Sequence, residues 1–230
     1  MNTVLLDFNT RAQEVDDYFI FLEGLIKQTT KLSIADDAGT YKIHSLNYEL
    51  EKTLKANGFL LLYNLVESTM RNAIEAIFDE LTNQTISFDQ LKPKIKIIVL
   101  QNLKNCSPNK INLQINQIST DIITATFDRE ELFSGNVDAR LIKEIAEKYG
   151  FSYKTEFTRT KNGQNLVVVK SNRNDLAHGV KSFEEVGRDN TIEELLEIKN
   201  EVIEYLRQIL EHIKTYLDNQ EYLDVTTNNP

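Results

Sequence analysis

The 230-residue sequence is poor in glycine and proline, with eight of the first and three of the second. That is less than half the usual combined share of about 12%. A sheet protein with many tight turns needs more of both, so the shortage excludes that class and favours long helices. Cys106 is the single cysteine, which excludes an intrachain disulfide and a thiolate zinc site built within one subunit. No apolar run approaches the roughly 20 residues that span a bilayer. The opening Met1–Asp7 has neither a basic start nor a long apolar stretch, so no signal peptide is expected. The cytoplasm is the expected location, with no membrane partner. Glycine-rich phosphate loops are lacking, which argues against ATP or dinucleotide binding by a familiar loop. No histidine or carboxylate pairs have metal-ligand spacing, so neither cofactor nor metal is expected.

Hydrophobic residues make up 41% of the chain, enough for a substantial core, and the net charge is −9 with a pI near 5.0. An acidic surface repels phosphate and makes a general nucleic-acid coat protein a poor fit. One segment runs the other way. From Lys154 to Arg188 seven basic residues face four acidic ones, either a local phosphate-attracting site or ordinary surface charge in a loop-rich stretch.

The periodicity predicts an almost wholly α-helical chain, with residues 1–230 forming one domain. A first helix covers about Thr3 to Gln28, with Val4, Phe8, Ala12, Val15, Phe19, Leu22 and Ile26 as its apolar stripe. A polar stretch comes next, broken at Asp36–Gly39. A second long helix covers about Ile43 to Leu81 and is expected to bend near Gly58. A third begins after Pro93 and ends near Asn105. Residues 106–136, rich in Asn, Gln and Ile, read as a less regular central insertion. Asp138 to Tyr149 is a short helix ending at Gly150. Thr191 and Glu194 form a capping box that starts the last helix, and residues 225–230 are expected to be a disordered tail. Between 151 and 169 two readings compete. The alternation over Phe151–Phe157, the Asn162–Gly163 pair and three consecutive valines fit a short hairpin. The pattern after the valines instead fits a helix from about Gln164 to His178, stopped by Gly179.

Three histidines are present, His44, His178 and His212. Histidine suits proton transfer in both directions near neutrality. Cleaving RNA without a metal needs a base for the 2′-OH, an acid for the leaving 5′-oxygen and a cation for the charge gathering on phosphorus. An Arg beside a His supplies the cation and one proton-transfer group. The Arg-x4-His spacing occurs twice, in Arg173–His178 and in Arg207–His212. The second lies within the final helix and reads as a solvated face, and His44 reads as a surface or capping residue at a helix start. The first lies where a helix would end. There Asn174 and His178 share a face, whereas Arg173 and His178 are about 140° apart around a helix. One copy cannot surround a phosphate, which favours two copies meeting across a dimer axis.

Arg173-Asn174-Asp175-Leu176-Ala177-His178-Gly179 resembles the Arg-x4–6-His mark of the HEPN superfamily, in its bacterial branch of HEPN-like nucleases. The segments Phe59–Arg71, Gly135–Arg140 and Ser182–Arg188 are similar to that branch as well. The resemblance implies an antiparallel helical bundle with the motif on a helix near a homodimer interface, and so favours the helix over the valine strand. It implies a metal-independent endoribonuclease leaving a 2′,3′-cyclic phosphate, at work in bacterial defence or a toxin–antitoxin system. In that setting the partners are an RNA substrate, a second copy and an antitoxin or defence protein. By the same resemblance Arg173 would bind the scissile phosphate, His178 would be the acid or base, and Asn174 would orient the site. The alternative is a catalytically inactive helical module that binds a protein or a nucleotide.

Overall fold

The computed structural model describes residues 1–106, 122–123, 125–128, 132–133 and 135–224. Helices dominate, and among the described residues the only sheet is one two-stranded antiparallel pair. The chain divides into two compact units. One comprises Leu6–Val66 and Phe157–Tyr205, the other Met1–Leu5, Glu67–Glu156 and Leu206–Pro230. Helices α1 (Asn2–Ile26), α2 (Tyr48–Asn83) and α8 (Ile192–Asp218) contribute residues to both.

In the first of these units, α1 buries Phe8, Ala12, Val15, Phe19, Leu22 and Leu25 along the predicted stripe. Its partner α2 is capped by Asn47, whose side chain accepts from the Leu50 N–H at 2.7 Å. The two helices approach closely at Gly58, where an added Cβ would stand 2.8 Å from the Phe19 ring. The glycine there makes room for an aromatic side chain, and α2 continues through it as one helix. The hydroxyl of Tyr18 donates to the Leu54 carbonyl at 2.6 Å. The capping box at Thr191 is present, with Glu194 accepting from the Thr191 N–H at 2.8 Å and Thr191 Oγ1 accepting from the Glu194 N–H at 3.2 Å. It launches α8, whose Lys199 is tied to Asp16 of α1.

The sheet joins β1 (Leu32–Ala35) to β2 (Tyr41–His44), with Leu32 opposite His44 and Ala35 opposite Tyr41. Asp36 builds the turn, its Oδ1 accepting from the backbone of Ala38 and Thr40, and Gly39 takes φ +78°. The predicted break is therefore a hairpin turn, and the second helix starts at Tyr48, later than its expected Ile43. His44 belongs to β2 and not to a helix start.

Of the two readings for 151–169 the structure takes the helix and not the hairpin. Phe151–Glu156 belongs to no helix and, among the described residues, pairs with no strand. It leads into α5 (Phe157–Thr160), a 3-10 turn at Lys161–Gly163, and α6 (Gln164–Ala177). Asn162 and Gly163 do adopt left-handed conformations, φ 53° and 76°, yet they link two helical segments and not two strands. Short helix α7 (Phe183–Arg188) comes after α6.

In the other unit lie α3 (Pro93–Asn105) and α4 (Ala139–Tyr149), the latter capped by Asp138 at its start and by left-handed Gly150 at its end. A chain of aromatic contacts runs from Phe78 through Tyr149, Phe151 and Tyr216 to Tyr222. The Tyr216 hydroxyl donates to the Tyr149 carbonyl at 3.1 Å, and burial pushes both phenols' pKa upward. Most of the expected insertion at 106–136, and the tail at 225–230, lie outside the described residues.

Candidate functional site

Helix α6 turns a mixed face inward. Leu166, Val169 and Leu176 are its buried residues, and Arg173 falls on the same stripe, four residues after Val169 and three before Leu176. An arginine on an apolar stripe must keep its charge solvated or paired while its stem packs. Here the half-buried guanidinium lies over the ring of Tyr63 on α2, with Cζ 4.5 Å from the ring centroid. Tyr63 itself is only 3% exposed. Arg173 Nη1 also donates to Asn174 Oδ1 at 2.9 Å. The ring beneath the cation and the hydrogen bond to Asn174 together restrain it.

The helix stops at His178 for a backbone reason. Gly179 takes φ +65°, its N–H donates to the Leu176 carbonyl at 3.3 Å, and the Val180 N–H donates to the Asp175 carbonyl at 2.8 Å. These two bonds past a left-handed glycine are a Schellman C-cap. The Asp175 carboxylate pairs with Lys181 at 3.0 Å, which ties the last turn to the residues after it and holds the Lys181 pKa above its ordinary value. His178 is thereby left exposed on the cap. Its imidazole makes no hydrogen bond to any other described residue. The structure thus brings Arg173 and Asn174 into contact. It sets His178 on the outward side of the same helix end, four residues beyond Asn174.

The segment after the cap is anchored. The Ser182–Glu185 capping box starts α7, and hydrogen bonds from Ser182 draw the Glu185 carboxyl below its ordinary range. Glu184 pairs with the buried amine of Lys52 at 2.8 Å. At Gly187 an added Cβ would stand 1.9 Å from the Lys52 carbonyl oxygen, so α7 lies directly against the α2 backbone.

Four of the seven basic residues in the stretch with excess positive charge are paired with carboxylates. Arg159 pairs with Glu204 at 3.0 Å, Lys161 with Glu201 at 3.8 Å, Lys181 with Asp175 and Arg188 with Asp189. Two of these carboxylates come from α8, outside the stretch in which the excess was counted. The second Arg-x4-His pair differs from its expected solvated face. His212 is half-buried and its Nδ1 is buried without a hydrogen-bond partner among the described residues. Also among the described residues, no group of three or more His, Cys, Asp or Glu gathers into a metal-binding arrangement, and no helix is long and apolar enough to cross a membrane.

Sequence reasoning singled out Arg173, Asn174 and His178 and overlooked Tyr63. The available signal was a tyrosine on the buried stripe of α2, four residues after Phe59. An aromatic ring with a polar tip at such a position often meets a charged or polar group.

Comparison with curated proteins finds no match, and comparison with solved structures finds none either. The family model described as HEPN_MAE_28990-like HEPN matches residues 1–222. That match covers nearly the whole chain, including the α6 motif and the helices that carry it, and the chain belongs to this HEPN family.

Proposed function

We propose that this protein is a metal-independent endoribonuclease that works as a homodimer, with Arg173, Asn174 and His178 as its site. HEPN domains are in general RNA-cleaving or RNA-related. The observation that carries the reading is a fixed guanidinium on α6, held by Tyr63 and Asn174, one turn from an imidazole that the helix cap leaves open to solvent.

In the reaction, one imidazole takes the proton of a ribose 2′-OH. The oxygen attacks the adjacent phosphorus, a second imidazole protonates the departing 5′-oxygen, and a 2′,3′-cyclic phosphate and a 5′-OH result. The Arg173 guanidinium neutralises the negative charge that builds on the phosphorane oxygens, and Asn174 restrains that cation. Two imidazoles are required and α6 offers one, so a second copy supplies the other. Exposed apolar side chains occur on α6 and just past its end, Val167 at 46%, Val168 at 36% and Val180 at 70%. They give a second copy a surface to cover. Defence or toxin–antitoxin work is the setting in which such an activity belongs, with an antitoxin or defence protein as the further partner.

The test is incubation of the purified chain with an RNA pool in excess EDTA, with the product ends read by mass spectrometry. Cyclic phosphate termini are expected. Intact RNA under all conditions, or cleavage that stops in EDTA, contradicts the proposal. A second reading, a catalytically inactive binding module, draws on the net charge of −9 and on the pairing of nearby basic residues with carboxylates. Intact RNA together with a stoichiometric protein partner would favour it.

A further inference from the structure

We infer that Tyr63 is a positioning residue of the site, a π-platform that holds the Arg173 cation in place and sets its electrostatic strength. The inference rests on the proposal that Arg173 binds a scissile phosphate. Three features of the structure carry it. Arg173 sits on the inward stripe of α6 between Val169 and Leu176, the face that the helix turns toward its buried contacts. The guanidinium carbon lies over the ring of Tyr63, 4.5 Å from the centroid. Tyr63 is 3% exposed and belongs to the long helix α2, so the ring cannot swing aside without repacking the unit's interior.

The chemistry comes from the guanidinium's shape. Its five N–H groups lie in the plane of the ion, and phosphate is recognised along that edge. An aromatic ring beneath the cation attracts it and limits the wandering of a long side chain that would spoil a two-point contact. Asn174 Oδ1 accepts from Nη1 and adds a second restraint on the same cation. A phosphate arriving at the site meets a cation whose ordering cost is already met. A bulky aliphatic residue at position 63 would fill the space yet hold the cation loosely, because it lacks the negative ring face that attracts the ion.

The experiment compares the parent with Tyr63→Phe, Tyr63→Leu, Tyr63→Met and Arg173→Ala, each checked for its thermal transition. A parallel series carries phenylalanines of increasing fluorination at position 63, which keep the ring's shape while drawing charge from its face. Two readouts are taken: the cleavage rate of a random-sequence RNA pool in EDTA, and the Kd for the same pool with every 2′-OH methylated, which cannot be cut. Tyr63→Phe is expected to stay within about twofold of the parent. Tyr63→Leu and Tyr63→Met are expected to lose roughly tenfold, and the fluorinated series is expected to weaken step by step. In the Arg173→Ala background, Tyr63→Leu is expected to change Kd no further, since its effect passes through the missing cation.

A flat fluorination series overturns the inference, as does an additive loss in the double variant. If Tyr63→Leu or Tyr63→Met folds and cuts like the parent while Arg173→Ala is dead, the platform role falls and the Arg173 site stands. If Arg173→Ala cuts like the parent, the site itself falls and takes the platform with it. Should both aliphatic variants fail to fold, the fluorinated series decides alone.

Discussion

Two segments of this chain share the spacing Arg-x4-His, and folding treats them differently. Arg207 and His212 lie in the interior of α8, where the helix continues past the histidine to Asp218. His212 there is half-buried, with one ring nitrogen enclosed and unbonded among the described residues. Arg173 and His178 straddle the end of α6. The helix carries the arginine inward onto Tyr63, and the Schellman turn at Gly179 leaves the imidazole outside. The same spacing inside a helix points two residues about 140° apart and keeps them there. At the end of α6 the helix stops at the second residue, which is left exposed.

The widest separation between the segments concerns the cations. Arg173→Ala is expected to lower the RNA cleavage rate by roughly 10²-fold or more, the scale of losing a charge-stabilising donor. Arg207→Ala should stay within about threefold of the parent. Equal losses in the two variants, measured in one assay, would break the comparison.

The next effect is on the frame around the helix end. Gly187→Ala places a Cβ against the Lys52 carbonyl, where backbone and not a flexible side chain must yield. A cost of about 1–3 kcal/mol is expected, read by urea denaturation, together with weaker cleavage as α7 lifts from α2. An unchanged denaturation midpoint would show that α7 does not hold this region.

Gly179→Ala sharpens the comparison at the cap. No atom lies within 4 Å of the added Cβ, so only the positive φ is penalised. The expected cost is about 1 kcal/mol. Gly179→Asn should cost less, because asparagine tolerates the left-handed region. If alanine and asparagine prove equal to glycine, the cap is not what ends α6.

The smallest effect is a titration. The Glu185 and Glu194 carboxyls are both held below their ordinary range, first by a backbone N–H and then by the hydroxyl of the same capping residue, Ser182 or Thr191. A depressed carboxyl stabilises the fold above its unfolded value, and that contribution disappears as pH falls through the folded one. Glu185→Gln and Glu194→Gln should each be slightly less stable at neutral pH and lose less on acidification, as followed by circular dichroism. An acid profile identical to the parent's would show that the ionised caps contribute nothing to stability.

The helices were largely legible because their apolar stripes repeat over many turns, as in Phe8, Ala12, Val15, Phe19 and Leu22. The capping box at Thr191 was legible because it needs only local residues. The β1–β2 hairpin was not. Its strands have four residues each and are exposed on nearly every side chain, so no burial alternation marks them. The valine run kept a strand open beside the helix. Val169 is buried while Val167 and Val168 are exposed, and the packing of α6 overrides the strand preference of β-branched residues. In the site, the motif residues were visible as a pattern, but the inward turn of Arg173 was not, because it depends on Tyr63, a ring far away in the sequence. The pairing of basic residues in that stretch escaped for the same reason, since Arg159 meets Glu204 only in the folded chain.

The most direct measurement sets His178→Ala beside His212→Ala with the same RNA pool in excess EDTA. The first is predicted to lose the cyclic-phosphate product by roughly 10²–10⁴-fold while the second keeps it. Full activity in His178→Ala, or loss confined to His212→Ala, would contradict the assignment of the site to the end of α6.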